Sequence, residues 1–91
     1  MNEATPETTG QASERMKQLI LEIVQALVDQ PDGVSVELIE DHEATILQVR
    51  VAPQDIGKVI GKQGRTARSI RTILGAAGMK VNRRFTLEIL E

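Results

Sequence analysis

The chain has no cysteine, no tryptophan and no tyrosine, and Phe85 is its single aromatic residue. Without thiols, neither a disulfide framework nor a thiolate-bound metal can form, so the core has to be purely hydrophobic, and a reducing compartment is the expectation. Without aromatic rings, the stacking platforms by which sheet-face readers and oligonucleotide-binding barrels hold bases cannot be built. Nowhere do eighteen apolar residues run together, so no membrane-spanning helix is expected. The segment from Met1 to Ser13, rich in Thr, Glu, Gln and Gly, lacks the basic start and apolar run of a signal peptide and reads as a disordered polar tail. The remaining residues, 14–91, suit one domain, and the chain of 91 residues has no room for two. A soluble, cytoplasmic protein is the expectation.

What is present is unevenly placed. The formal net charge is only -2, yet from Ile56 to Leu87 there are eight basic residues (Lys58, Lys62, Arg65, Arg68, Arg71, Lys80, Arg83, Arg84) and no acid. Residues 1–55 carry three basic residues and eleven acids. A nearby anion feels the local field rather than the total, and an acid-free stretch containing glycines points to an anion-binding face rather than a merely solvated one.

Periodicity gives the elements. Met16, Leu19, Ile20, Ile23, Val24 and Leu27 form one stripe of an amphipathic helix over about 12–29, with Ser13 as its N-cap, ended by the turn signal Pro31-Asp32-Gly33. Val34, Val36 and Leu38 alternate with polar residues, and 46–51 reads as the returning strand of an antiparallel hairpin. Pro53 opens a short helix to about 60, with Asp55 near its positive end. Ala67, Ile70, Leu74 and Ala77 mark a further helix from about 65 to 78, and Phe85, Leu87 and Ile89 a last strand from about 84 to 90. The order helix, strand, strand, helix, helix, strand implies an α+β fold in which three helices cover one face of a three-stranded sheet.

Between two of those helices lies Gly61-Lys62-Gln63-Gly64. Two glycines flanking two polar residues make a turn whose backbone can approach a ligand closely. The turn opens onto a helix N-terminus, where unpaired N–H groups and the helix dipole favour an anion such as phosphate. Lys58 and Lys62 add charge on one side, Arg65, Arg68 and Arg71 sweep along the next helix, and Gly57, one turn back, keeps the floor of the approach open.

The run from Val51 to Arg65, with Ile60-Gly61-Lys62-Gln63-Gly64 at its centre, resembles the core of a KH domain, whose signature is an Ile-Gly-x-x-Gly turn between two helices. The preceding helix and strand make the order similar to the type II arrangement, and from about Arg15 to Leu90 the chain resembles the small bacterial stand-alone KH proteins of the KhpA family. The resemblance implies a non-enzymatic, single-stranded-RNA-binding protein, an RNA chaperone or post-transcriptional regulator linked to cell-envelope growth. It implies pairing with a second copy or with the larger KH protein KhpB through the third helix, here about Arg65 to Gly78. Carried over by position, the RNA-binding residues would be Gly57, Lys58, Ile60, Gly61, Lys62, Gln63, Gly64, Arg65 and Arg68, with Ile56, Val59 and the strand around 49–51 bordering a groove for bases. No cofactor, metal or small-molecule substrate is implied.

Rival chemistries fit less well. A Walker P-loop needs four residues between its glycines and a Ser or Thr after the lysine, whereas Gly57 and Gly61 enclose three and Gln63 follows Lys62. The single histidine, His42, sits among Glu40, Asp41 and Glu43 in a hairpin loop whose spacing matches no metal site, and no serine has an implied partner, so catalysis is not expected. The remaining alternative is an interaction module acting mainly through KH–KH pairing. With one aromatic residue, recognition has to rest on phosphate contacts and base edges, so one copy would bind weakly and pairing would add avidity.

Overall fold

The computed structural model describes residues 9–91 of the chain. Helix α1 (Thr9–Leu27) leads through a short turn at Pro31–Gly33 into strands β1 (Ser35–Glu40) and β2 (Ala44–Arg50). A single 3-10 turn at Pro53–Asp55 opens α2 (Ile56–Ile60), a second turn at Lys62–Gly64 opens α3 (Arg65–Val81), and β3 (Arg84–Ile89) closes the fold. The sheet is mixed, in the order β1-β2-β3, with β1 antiparallel and β3 parallel to the central β2.

Strand alternation divides the sheet cleanly. Val36 and Leu38 on β1 face Val49 and Leu47 on β2, which in turn stand beside Ile89 and Leu87 on β3. With Phe85 and Val51 they meet Ile20 and Val24 of α1, Val59 of α2, and Ile70 and Leu74 of α3 in one aliphatic core. The opposite face carries the row Glu37, Gln48, Glu88, where Gln48 Nε2 donates to Glu88 Oε1 at 2.6 Å, and next to it Ile39, 44% exposed, beside Ile46. The helices thus lie on one face, as the α+β pattern requires.

Three details differ from the sequence reading. Helix α1 begins at Thr9, so residues 9–13 of the expected tail are helical, and residues 1–8 of it lie outside the described residues. Ser13 is no N-cap: it is buried within the helix and its Oγ donates to Glu40 Oε2 at 2.6 Å, close to Thr45. The buried stripe of α1 follows the four-residue row Ala12, Met16, Ile20, Val24, continued by Val28, which leaves Leu19 and Leu27 more than a third exposed at its edge.

A fourth difference is the end of α3, which runs past Gly75 and Gly78 to Val81 and closes on Asn82 in the left-handed conformation. Gly78 lies in the helix because a Cβ there would meet the Arg83 carbonyl and come 3.3 Å from Phe85 Cδ2. Arg83 N donates to the Gly78 carbonyl at 2.8 Å, which secures the reversal into β3. The Arg83 guanidinium then ties down the β1–β2 hairpin, bonding Thr45 Oγ1 (3.0 Å) and the carbonyls of Asp41 (2.6 Å) and Ala44 (2.8 Å).

Leu47 is fully buried at the centre of the sheet, so Leu47→Ala should destabilise the domain by about 2–5 kcal/mol. Leu19→Ala, at the rim of α1, should change stability by no more than about 0.5 kcal/mol. Urea unfolding followed by circular dichroism checks both.

Candidate nucleic-acid interface

The Gly61–Gly64 turn is set by two different demands on its glycines. Gly61 ends α2 at φ 79°, ψ 168°, a region open essentially to glycine alone, and its N–H closes the helix on the Gly57 carbonyl at 2.8 Å. A Cβ on Gly61 would also lie 2.6 Å from Thr66 Cβ and 2.8 Å from Thr66 N. Gly64 has φ 75°, ψ 12°, in the left-handed region, but meets nothing within 4 Å, so its requirement is conformational only. Between them Gln63 is itself left-handed at φ 57°, ψ 26°, and the turn closes with Gly64 N donating to the Gly61 carbonyl at 3.0 Å. Such successive reversals present backbone N–H groups on a concave surface suited to an anion.

Helix α3 starts immediately at Arg65, with a glycine rather than a capping side chain ahead of it. The Arg65 N–H donates to the Lys62 carbonyl, and no side chain caps the first-turn amides that follow it. Lys62, Gln63, Arg65 and Arg68 are all exposed around this point, and Arg71 follows one turn on. Gly57 is exposed with open space above it, and Ile60 is half-buried beside the turn. Of the other apolar residues assigned to the groove, Ile56 is half-buried, whereas Val49, Val51 and Val59 are buried in the core.

Lys58 stands apart from the other predicted contacts. Its Nζ lies 3.3 Å from Asp29 Oδ2 and 3.5 Å from Asp55 Oδ1, and ion pairing with Asp29, joined by Asp55, raises its pKa above the usual lysine value. Its charge serves the joint between α1 and α2. Asp55 is fully buried there and accepts from the backbone N–H groups of Asp29 (3.3 Å) and Gln30 (3.1 Å). Burial opposes its ionisation, but those two hydrogen bonds and Lys58 outweigh it and hold the carboxyl below its ordinary value. No local pattern signals this latch, because its partners include backbone amides some 25 residues away.

The two surface hollows near the far end of α3 are formed by other residues. One is lined by Gly75, Met79, Arg84 and Phe85 among others, the second by Ala12, Met16, Ala77 and Val81 with their neighbours. Seventeen residues of helix place that end about 25 Å from the turn, and neither hollow belongs to it. Among the described residues no cluster of His, Asp or Glu could hold a metal ion, and no helix is long and apolar enough to cross a membrane.

A chain with this helix–turn–helix seated on a mixed three-stranded sheet can be set beside known proteins. The family profile described as KhpA/KhpB, KH domain, matches residues 17–89. The chain belongs to the KhpA/KhpB KH-domain family. Similar KhpA/KhpB relatives include a protein of Borreliella burgdorferi, 53% identical over 74 residues that span 81% of this chain and 90% of the relative. A Clostridium acetobutylicum relative is 51% identical over 75 residues, 82% of this chain and all of its own length. An Aquifex aeolicus relative is 47% identical over 76 residues, 84% of this chain and 96% of its own. Each bears the name "RNA-binding protein KhpA". The matched span includes the turn, α2, α3 and the later part of α1, and leaves out the first turns of α1.

Because its folded pKa is depressed, Asp55 contributes stability that is present above the ordinary value of 3.8 and lost as pH falls through the lower folded value. Asp55→Asn should therefore lower the thermal midpoint at neutral pH, and the gap to wild type should narrow as the pH drops below 3.8. Thermal melts at a series of pH values read this directly.

Proposed function

We propose that this protein binds single-stranded RNA, clamping the sugar-phosphate backbone with the Gly61–Gly64 turn and the start of α3. The observation that carries the reading is the turn itself: glycine-only geometry at its first residue, an uncapped helix start behind it, and Lys62, Arg65 and Arg68 exposed around it. The name "RNA-binding protein KhpA" borne by the relatives supports the same ligand. Among the described residues no carboxylate pairs with Lys62, Arg65 or Arg68, so their charge is available to phosphate. Phe85, the one aromatic residue, is buried in the core, so bases are held by their edges or left free and sequence preference is broad. Such a module serves transcripts in the cytoplasm as a chaperone or post-transcriptional regulator, and Lys58 supports the clamp by holding α2 in place rather than by touching RNA.

A second reading, pairing between KH domains, draws on the outer face of α3. Ile73 is 45% exposed and Met79 84% exposed, with Gly75 and Ala76 between them and no charge from Thr72 to Met79. Small residues there allow a partner helix, from a second copy or a KhpB-like chain, to approach closely. Two paired clamps on one strand would raise avidity without competing for the turn.

Replacing both Lys62 and Gln63 by Asp separates the two readings while leaving the core untouched. Titration of a labelled single-stranded RNA library by fluorescence anisotropy should give a log-log salt slope near -3 for wild type, about four phosphates at roughly -0.7 each. The double variant should lose at least about tenfold in affinity through like-charge repulsion. Equal binding by both folded proteins, or binding by neither, would remove the clamp and leave pairing as the function.

A further inference from the structure

Thr66 lies outside the four residues of the turn, yet the turn is built against it. A Cβ placed on Gly61 would sit on Thr66 Oγ1, with Thr66 Cβ at 2.6 Å and its backbone N at 2.8 Å. The same position on Gly64 is empty to 4 Å, so close approach occurs on the Gly61 side alone. This contact fixes where the chain leaves α2 relative to the first amides of α3. Thr72, further along the same helix, turns its hydroxyl back to the Arg68 carbonyl at 3.1 Å, the ordinary local choice for threonine in a helix. The Thr66 hydroxyl instead faces Gly61. The side chain is half-buried, so that hydroxyl is held against the turn rather than free in solvent.

We propose that Thr66 is a positioning residue for RNA binding, its hydroxyl seating Gly61 so that the turn's amides and the start of α3 face the same phosphate. The inference rests on the clamp reading above. Thr66 carries no charge, so its removal leaves the number of neutralised phosphates unchanged, and affinity falls while the salt slope stays. A residue serving only stability would move the melting temperature and not the affinity of the folded protein.

The test compares Thr66→Ala and Thr66→Ser with wild type and with the Lys62→Asp/Gln63→Asp double variant, on one labelled unstructured RNA, at temperatures where all are folded. Alanine is a better helix former than threonine, so Thr66→Ala keeps α3 intact, as circular dichroism will verify. Thr66→Ala should bind about five- to tenfold more weakly with an unchanged slope, and Thr66→Ser should return to within about twofold of wild type. Wild-type affinity in Thr66→Ala, a shallower slope, or no rescue by serine would each overturn the inference while wild type still outbinds the double variant. Failure of folded wild type to bind RNA would overturn the clamp reading, and this inference with it.

Discussion

One buried carboxylate organises the functional end of this domain. Asp55 sits where the end of α1, the exit from β2 and the start of α2 converge, and it is fully removed from solvent. An isolated ion there would be strongly disfavoured; two backbone N–H donors and the Lys58 ammonium make it tolerable. The five-residue α2 is too short to hold its own direction, since isolated helices of that length are not stable. Asp55 supplies the direction from one end and buried Val59 from beneath, and with α2 fixed, Gly61 is delivered to Thr66 and the turn takes its shape.

The same joint explains how charge is divided. Of the eight basic residues between Ile56 and Leu87, Lys58 is committed to Asp29 and Asp55, and Arg83 to the hairpin at Asp41, Ala44 and Thr45. Lys62, Arg65, Arg68 and Arg71 remain exposed along the turn and the first half of α3. The open face of the sheet carries Glu37 and Glu88 astride Gln48. On that face the exposed Arg50 and Arg84 offset the two acids, whereas no acid offsets the cations of the turn, so a protein of net charge -2 can still orient a polyanion.

Much of this was legible in the residues. The alternation in both hairpin strands and the stripe on α3 placed the core correctly, because one period dominates each segment. The turn was legible because only glycine suits its first residue's backbone angles. Signals failed where a distant partner decided the outcome. Ser13 reads locally as a cap but bonds Glu40, and Gly78 reads as a helix end but makes room for Arg83 and Phe85; the pairing of Lys58 with Asp29 and Asp55 likewise left no local mark. Thr66 carried no sequence signal at all, since its importance lies in what Gly61 lacks.

The most direct test of the account is a map of amide chemical-shift changes in the isotope-labelled protein as an unstructured RNA of about eight nucleotides, twice the length one such loop grips, is added. The largest changes should fall on Gly61 to Arg68, with Glu37, Gln48 and Glu88 on the open sheet face silent. Changes centred on that sheet face or on the far end of α3, with the turn unmoved, would contradict it.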